Sequence, residues 1–280
     1  MLSAGLALAA SLAWGFGDFL GGVKSRELPA LVVMGASQPF GLVVLVVMVA
    51  VRGTGPPGAE IAWAALSATL GTIGLAAFYR GMAAGAMSVV APIASVAAGF
   101  PVVWGLVQGD KVSFLQELGF VAALGGSLMA SLERGGGGGE RRRFAAGAGW
   151  GVLAMLAFGG YYVPLHMAAQ HDWLWPSLVF RMTSVTIVWS ALLVSRARLG
   201  GVRPHLAVLA AVGVLDTGGN VFFAAASSTH GLLSVVSVLA SLYPVATVLL
   251  ARLALGERVQ FSQDVGVVVT LAGVVLISAG

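Results

Sequence analysis

Long apolar stretches, separated by short polar segments, run from one end of the chain to the other. An α-helix rises about 1.5 Å per residue, so about 20 apolar residues cross the hydrocarbon core of a bilayer. That length predicts an all-α membrane protein with ten transmembrane helices. The predicted spans are 2–22, 31–51, 61–79, 86–107, 114–132, 145–169, 174–195, 205–228, 231–251 and 261–279.

Composition also indicates a lipid environment. Hydrophobic residues make up 58% of the chain and charged residues only 9%, against about 25% charged residues in soluble domains. The apolar content excludes a disordered chain. The absence of cysteine excludes a disulfide scaffold, a thiolate metal site and a cysteine nucleophile.

The two halves of the chain resemble each other. Gly-Asp-Lys-Val at 109–112 matches Gly-Glu-Arg-Val at 256–259, 147 residues later, and Ala-Trp-Gly at 13–15 matches Ala-Phe-Gly at 157–159, 144 residues later. Each half is predicted to hold five helices, so the second half enters the membrane from the opposite side. Such inverted repeats are a common architecture of secondary transporters.

This repeat sets the predicted domain boundaries. The first five-helix repeat covers residues 1–133, a Gly/Arg linker covers 134–144, and the second repeat covers 145–280. Five consecutive glycines in the linker are typical of a flexible connection. A phosphate-binding loop would instead need a preceding strand and a lysine, and neither is present.

Together with Ala-Ser-Leu-Tyr-Pro at 240–244, these motifs resemble the two EamA-type repeats of the drug/metabolite transporter superfamily. The resemblance covers nearly the whole chain. It implies ten helices, a central cavity between the halves, and transport of small metabolites, often the export of amino acids or related compounds. The first half departs from the family pattern at Asp110, where glutamate is usual, in a loop expected to lie outside the site.

Three charged residues fall inside predicted spans, where a charge costs about 3 kcal/mol on insertion scales. They are Asp18, Arg181 and Asp216. For Asp216, the most central, two interpretations stay open: it contacts the substrate or a proton, or it forms a structural ion pair with Arg181. Asp18 lies only six residues before Lys24, which favours a structural role near the interface.

Uncommon polar groups and aromatic rings supply candidate substrate contacts. Asn220 follows Asp216 by one helical turn and extends a polar stripe along one helix face. Aromatic rings can stack on a substrate or hold a cation, although helix packing explains each ring equally well. The predicted substrate-binding residues are Trp14, Gln38, Tyr79, Tyr161, Asn220 and Tyr243. We predict no metal site, because His166 and His171 do not share a helix face.

These features predict a secondary active transporter that exports small organic metabolites such as amino acids by alternating access, with proton coupling left open. The alternative is an efflux carrier for amphipathic drugs or cations, or a channel-like permease. The sequence shows no nucleotide-binding loop and no catalytic motif, so we predict no enzyme activity, no cofactor and no nucleic-acid partner. The predicted partners are the lipid bilayer and a small-molecule substrate.

The distribution of basic residues predicts the orientation. Loops after odd-numbered spans hold 12 lysines and arginines, and loops after even-numbered spans hold 2. Because basic loops stay in the cytoplasm, we predict cytoplasmic odd-numbered loops and periplasmic termini in an inner membrane. Family members are often pictured with both termini inside, so the charge distribution and the resemblance differ here.

Overall fold

The computed structural model describes residues 2–53, 55, 58, 60–83, 90, 93–94, 96–131, 140–229, 232–243, 245–246, 250 and 261–279. This part of the chain is helical and contains no β-strand. We label its helices α1 (Leu2–Ser25), α2 (Ala30–Arg52), α3 (Glu60–Ala83), α4 (Gly99–Val107), α5 (Phe114–Ser131), α6 (Glu140–Ala169), α7 (Leu174–Ser195), α8 (Leu206–Ser228), α9 (Leu233–Ala240) and α10 (Phe261–Ala279). Short 3-10 turns precede α4 at Val96–Ala98 and α8 at Arg203–His205.

Among the described residues, 6 helical segments are long and apolar enough to cross a membrane, and they lie in α1, α2, α3, α6, α7 and α8. Shorter apolar stretches lie in α4, α5 and α10. Helix α6 begins at Glu140, before the predicted span at 145–169. Residues 132–139 of the predicted linker and 84–89 near the predicted span 86–107 lie outside the described residues.

Helix α9 is shorter than the predicted span 231–251. It ends at Ala240 in a turn, where the N–H of Ser241 donates to the carbonyl of Ser237 at 3.0 Å. Tyr243, Val245 and Ala246 are helical again, so a turn at Ser241 and Leu242 interrupts the predicted span.

Helix packing joins the first half of the chain to the second. The main pairs are α5 with α10, α3 with α6, α1 with α8, α2 with α7 and α8, α3 with α7, α4 with α9, α1 with α9, and α4 with α6. If α1–α5 are renamed α6–α10 in order, and α6–α10 are renamed α1–α5, the set of pairs does not change. Interfaces related by a two-fold axis have this property, because each contact then occurs twice with its partners exchanged.

Large apolar side chains point away from the protein on several helices. Val47 and Val51 on α2, Val121 on α5 and Val275 on α10 are each more than half exposed. Contiguous exposure of this kind is unfavourable in water, whereas it matches the hydrocarbon core of a bilayer. The outward faces are therefore suited to lipid, whereas Asp18, Gln38 and Arg181 are buried.

Candidate substrate-binding cavity

A cavity lies between the two halves of the chain, with about 520 Å³ of atom-free space up to its open mouth. Side chains from α1, α2, α3, α6, α7 and α8, and one residue after α9, form its wall. The lining residues are Trp14, Asp18, Gln38, Gly71, Thr72, Leu75, Phe158, Tyr161, Tyr162, Phe180, Arg181, Ser184, Asp216, Asn220 and Tyr243.

An ion pair between two neighbouring helices crosses part of the cavity wall. The Nη2 atom of Arg181 on α7 donates to Oδ2 of Asp216 on α8 at 2.7 Å. The Arg181 side chain is 1% exposed, and its buried Nε has no hydrogen-bond partner in the structure. A buried cation needs an anion and further acceptors to offset its desolvation. Asp216 supplies the anion, and one donor of the guanidinium stays unused.

Asp18 on α1 faces the same cavity from the first half of the chain. It is 8% exposed, and in the described part of the chain no lysine, arginine or histidine forms an ion pair with it. The cavity wall therefore carries two carboxylates and one guanidinium. Because Arg181 is engaged by Asp216, Asp18 is the carboxylate of the wall without a cation of its own.

Small polar groups complete the hydrophilic part of the wall. Ser184 Oγ donates to Oε1 of Gln38 at 3.3 Å, which links α7 to α2. The side-chain amide of Asn220 donates to the backbone carbonyl of Asp216 at 3.0 Å. Thr72 Oγ1 is buried and has no partner. Gln38, Thr72, Ser184 and Asn220 therefore add polar residues to the lining, which suits a polar ligand.

Aromatic rings form the apolar part of the wall. Trp14 packs edge-on against Tyr161 and Tyr162 at centroid distances of 6.2 and 6.1 Å. Tyr243 packs against Phe78 at 6.4 Å. Edge-on aromatic pairs of this kind contribute to packing beyond their buried area. The cavity thus combines one charged cluster with an aromatic enclosure.

The structure brings together most of the residues singled out from the sequence. Trp14, Asp18, Gln38, Tyr161, Arg181, Asp216, Asn220 and Tyr243 all line the cavity. Tyr79 does not: it is 1% exposed, and its hydroxyl packs where a β-carbon on Gly21 would lie. His166, for which no ligand role was predicted, also lies outside the lining.

The sequence analysis missed several lining residues. Phe158 could have been found, because it is the counterpart of Trp14 in the repeat, 144 residues later. Thr72 and Ser184 had no distinguishing signal, since small hydroxyl residues are common in membrane helices. Phe180 and Tyr162 are next to predicted residues, but an adjacent position in a helix points about 100° away.

Polar contacts at the ends of the helices join loops separated by an even number of spans. Asp172 pairs with Arg52, and His171 lies 3.4 Å from Glu60, which brings the loops after α2 and α6 together. Between the loop after α1 and the start of α8, Nε2 of His205 lies 3.6 Å from Oε2 of Glu27. The hydrogen bond from Lys24 lowers the pKa of Glu27, and the charges of Lys24 and His205 act in the same direction.

A third contact joins the halves through a helix end. The carboxylate of Asp110, between α4 and α5, accepts hydrogen bonds from the backbone N–H of Ser234 at 3.0 Å and from its hydroxyl at 2.7 Å. A carboxylate in this position satisfies a free N–H at the start of α9 and interacts favourably with the helix dipole. A residue of the first half therefore caps a helix of the second.

Comparison with known proteins identifies the family. Residues 145–279 match the model of the EamA-like transporter family. A crystal structure of another protein superposes with a TM-score of 0.77 over 99% of this chain and 96% of that chain, at 13% sequence identity, which shows a shared fold. No curated protein matches the chain in sequence. The resemblance seen in the motifs is thereby confirmed for residues 145–279, which match the EamA-like transporter family, part of the drug/metabolite transporter superfamily; this match points to a multi-pass membrane transporter of small molecules.

Proposed function

We propose that this protein is a secondary active transporter that exports small organic metabolites, such as amino acids, by alternating access coupled to protons. The observation that carries the proposal is the charged cluster of the cavity. Arg181 and Asp216 form an ion pair on the second half, and Asp18 faces them from the first half without a cation of its own. Intramembrane ionisable groups facing a cavity mark substrate or ion pathways.

The set of helix pairs is unchanged when the two halves exchange their labels, and this supports two inverted five-helix repeats. Alternating access by such repeats needs a binding site at the interface of the halves, near the middle of the membrane. The lining supports a site at the interface of the halves, because α1, α2 and α3 contribute lining residues from the first half and α6, α7 and α8 from the second. Motion of one half against the other would then open the cavity to either side in turn.

Asp18 is our candidate for the proton-carrying group. A carboxylate that is 8% exposed and lacks a cation is costly to keep charged, so a proton or a cationic substrate group would stabilise it. Asp216 is less suited to this role because Arg181 already holds its charge. We therefore assign coupling to Asp18 and a fixed electrostatic role to the Arg181–Asp216 pair.

The same cluster supports a zwitterionic substrate. Arg181 lines the cavity, and a guanidinium suits a carboxylate. Asp18 and the rings around Trp14 suit an ammonium group, through charge and through cation–π attraction. An efflux carrier for amphipathic cations is the second candidate, and the observation that favours it is the aromatic enclosure beside Asp18.

For the orientation, we propose an inner-membrane location with the odd-numbered loops in the cytoplasm and both termini in the periplasm. The 12 basic residues of those loops, against 2 in the others, support this arrangement. The end contacts are consistent with it, since Arg52–Asp172 joins two even-numbered loops and Glu27–His205 joins two odd-numbered ones. Reporter fusions at the 135–139 glycines and at the C-terminus test it.

The transport proposal is tested in proteoliposomes with radiolabelled alanine, leucine and glutamate outside and an acidic lumen. We expect saturable uptake of at least one of them that collapses when a protonophore removes the pH gradient. Asp18→Asn should abolish the drive by the gradient but retain exchange of internal for external substrate. Glu117→Gln, which changes an exposed carboxylate on α5, serves as the matched control.

Three results would contradict parts of the proposal. Linear, non-saturating flux would favour a permease. Gradient-driven uptake that survives in Asp18→Asn would remove Asp18 from coupling. Uptake of tetraphenylphosphonium, a lipophilic cation, without uptake of any amino acid would favour the carrier for amphipathic cations.

A further inference from the structure

Two aromatic rings of the cavity wall each pack on a glycine of the opposite half. The indole of Trp14 on α1 lies directly against Gly219 on α8, where an added β-carbon would overlap the ring. Phe158 on α6 lies against Gly74 on α3, where an added β-carbon would be 2.6 Å from Cδ1 of the ring. Real β-carbons do not approach other heavy atoms within 3.0 Å. Neither position therefore admits a larger residue while the ring stays in place.

Neighbouring rings pack against Trp14 and Phe158. Tyr161 packs against both rings, with centroid distances of 6.2 Å in each case. Phe223 lies 6.1 Å from Trp14, and Phe78 lies 6.1 Å from Phe158. Both rings line the cavity, so the cavity is the open space into which either one could be displaced.

The two contacts are reciprocal in the sequence as well. Trp14 and Phe158 are 144 positions apart and occupy matching places in the repeat, and Gly74 and Gly219 are 145 positions apart. Each half therefore supplies one ring and one glycine. The same arrangement of ring on glycine occurs on both sides of the cavity, which argues against an accident of packing at a single helix crossing.

We propose that Gly219 and Gly74 are specificity-determining positioning residues, which set the size limit of the substrate by fixing how far Trp14 and Phe158 project into the cavity. The inference rests on the proposed function, in that the cavity takes a small organic substrate. Neither glycine lines the cavity. Each acts through the ring that packs on it, and a methyl group in its place moves that ring inward and narrows the cavity.

The cavity's width can be measured without knowing the substrate, because the chain has no cysteine. Thr72→Cys places a single thiol on the wall, and Thr72 Oγ1 has no hydrogen-bond partner to lose. The thiol is labelled with methyl methanethiosulfonate, which is small, and with N-(1-pyrenyl)maleimide, which is bulky. The ratio of the labelling rate with the bulky reagent to that with the small reagent measures the space beside the rings. It does not depend directly on the free energy of unfolding.

In the Thr72→Cys background, Gly219→Ala and Gly74→Ala should lower the bulky-to-small ratio by about tenfold or more, the usual effect of one methylene in a pocket. Gly218→Ala is the matched control: it adds the same methyl group and the same gain in helix propensity next to Gly219, with only Phe222 nearby at 3.8 Å. Adding Trp14→Leu to Gly219→Ala should restore the ratio. Equal ratios in the Gly219→Ala and Gly218→Ala proteins, or no restoration by Trp14→Leu, would overturn the inference.

A transport arm separates this inference from the proposed function. Proteoliposomes with radiolabelled alanine or phenylalanine should show a larger loss of phenylalanine uptake than of alanine uptake in Gly219→Ala, with neither changed in Gly218→Ala. If the wild-type protein transports neither of these, and neither leucine nor glutamate, the amino-acid proposal fails, and the thiol ratios still decide the role of the two glycines.

Discussion

Gly126 on α5 lies directly against Gly266 on α10: a β-carbon on Gly126 would be 2.7 Å from the Gly266 carbonyl oxygen. Gly119 makes the reciprocal contact with Gly273, where the corresponding distance is 2.9 Å. Positions 119 and 266 are 147 apart, as are 126 and 273. The contact therefore occurs twice with its partners exchanged, and the two backbones approach closely because side chains are absent.

Gly126→Ala should destabilise this helix pair. The added methyl would meet the backbone of Thr270 and of Gly266, which cannot rotate away, and overpacking of this kind costs about 1–3 kcal/mol. Gly125→Ala is the matched control, since no atom lies within 4 Å of a β-carbon there. The difference between the two variants in the free energy of unfolding, measured by SDS titration, checks the contact. Equal stabilities would show that α5 and α10 pack differently.

Asp216→Asn should destabilise the protein, because it leaves the Arg181 guanidinium unpaired at 1% exposure. Removing one partner of a buried ion pair costs about 3–5 kcal/mol. The double variant Asp216→Asn/Arg181→Gln should recover most of that loss, since it leaves no unpaired charge. SDS titration of the two single variants and the double variant gives the coupling energy, and strictly additive losses would mean that the pair does not contribute.

Asp110→Ala should weaken the start of α9. It removes the acceptor for both the backbone N–H and the hydroxyl of Ser234, and loss of such a cap costs about 0.5–2 kcal/mol. Ser234→Ala should cost less, because the backbone hydrogen bond remains. Lys111→Ala, at the next position and exposed, is the control for thermal melting. An Asp110→Ala protein as stable as the Lys111→Ala protein would remove Asp110 from this role.

The contribution of Asp172 to stability should be lost in acid. Burial raises the pKa of Asp172, but hydrogen bonds from Arg52 and from the N–H groups of Leu174 and Trp175, together with the Arg52 charge, lower it below its ordinary 3.8. A carboxyl with a lowered pKa stabilises the folded state fully above its unfolded pKa, and the effect disappears as the pH falls through the folded value.

The comparison is between the melting temperatures of the wild type and Asp172→Asn. Their gap should be constant from neutral pH to about pH 5 and should narrow below about pH 4. A gap that widens in acid would show that the carboxylate is not stabilised by its partners in the folded protein.

The sequence was sufficient to predict most of the charged part of the cavity. Lipid makes an unpaired charge costly, so charged residues in apolar helices must face inward. This constraint indicated that Arg181 and Asp216 face inward, whereas the position of Asp18 six residues before Lys24 favoured the interface. The structure places all three in the cavity wall. Asn220 followed from its distance of one helical turn from Asp216.

The aromatic part of the cavity was less predictable. The rotation of a helix decides which of its rings face the cavity, and α3 has no polar face that would reveal this rotation. Tyr79 therefore looked as suitable as Tyr161, but it packs beside Gly21. The end of α9 was also missed, because apolar length continues through Ser241 and Leu242 although the helix does not.

The packing of Trp14 on Gly219 also constrains the order in which substitutions can occur during evolution. With a β-carbon at position 219, the cavity keeps its width only if position 14 has a smaller ring or none. The substitution at position 14 must therefore come first, since the opposite order passes through a protein with a narrowed cavity. In an alignment of close relatives, we expect the two positions to vary together, with a residue larger than glycine at 219 accompanied by a residue smaller than tryptophan at 14.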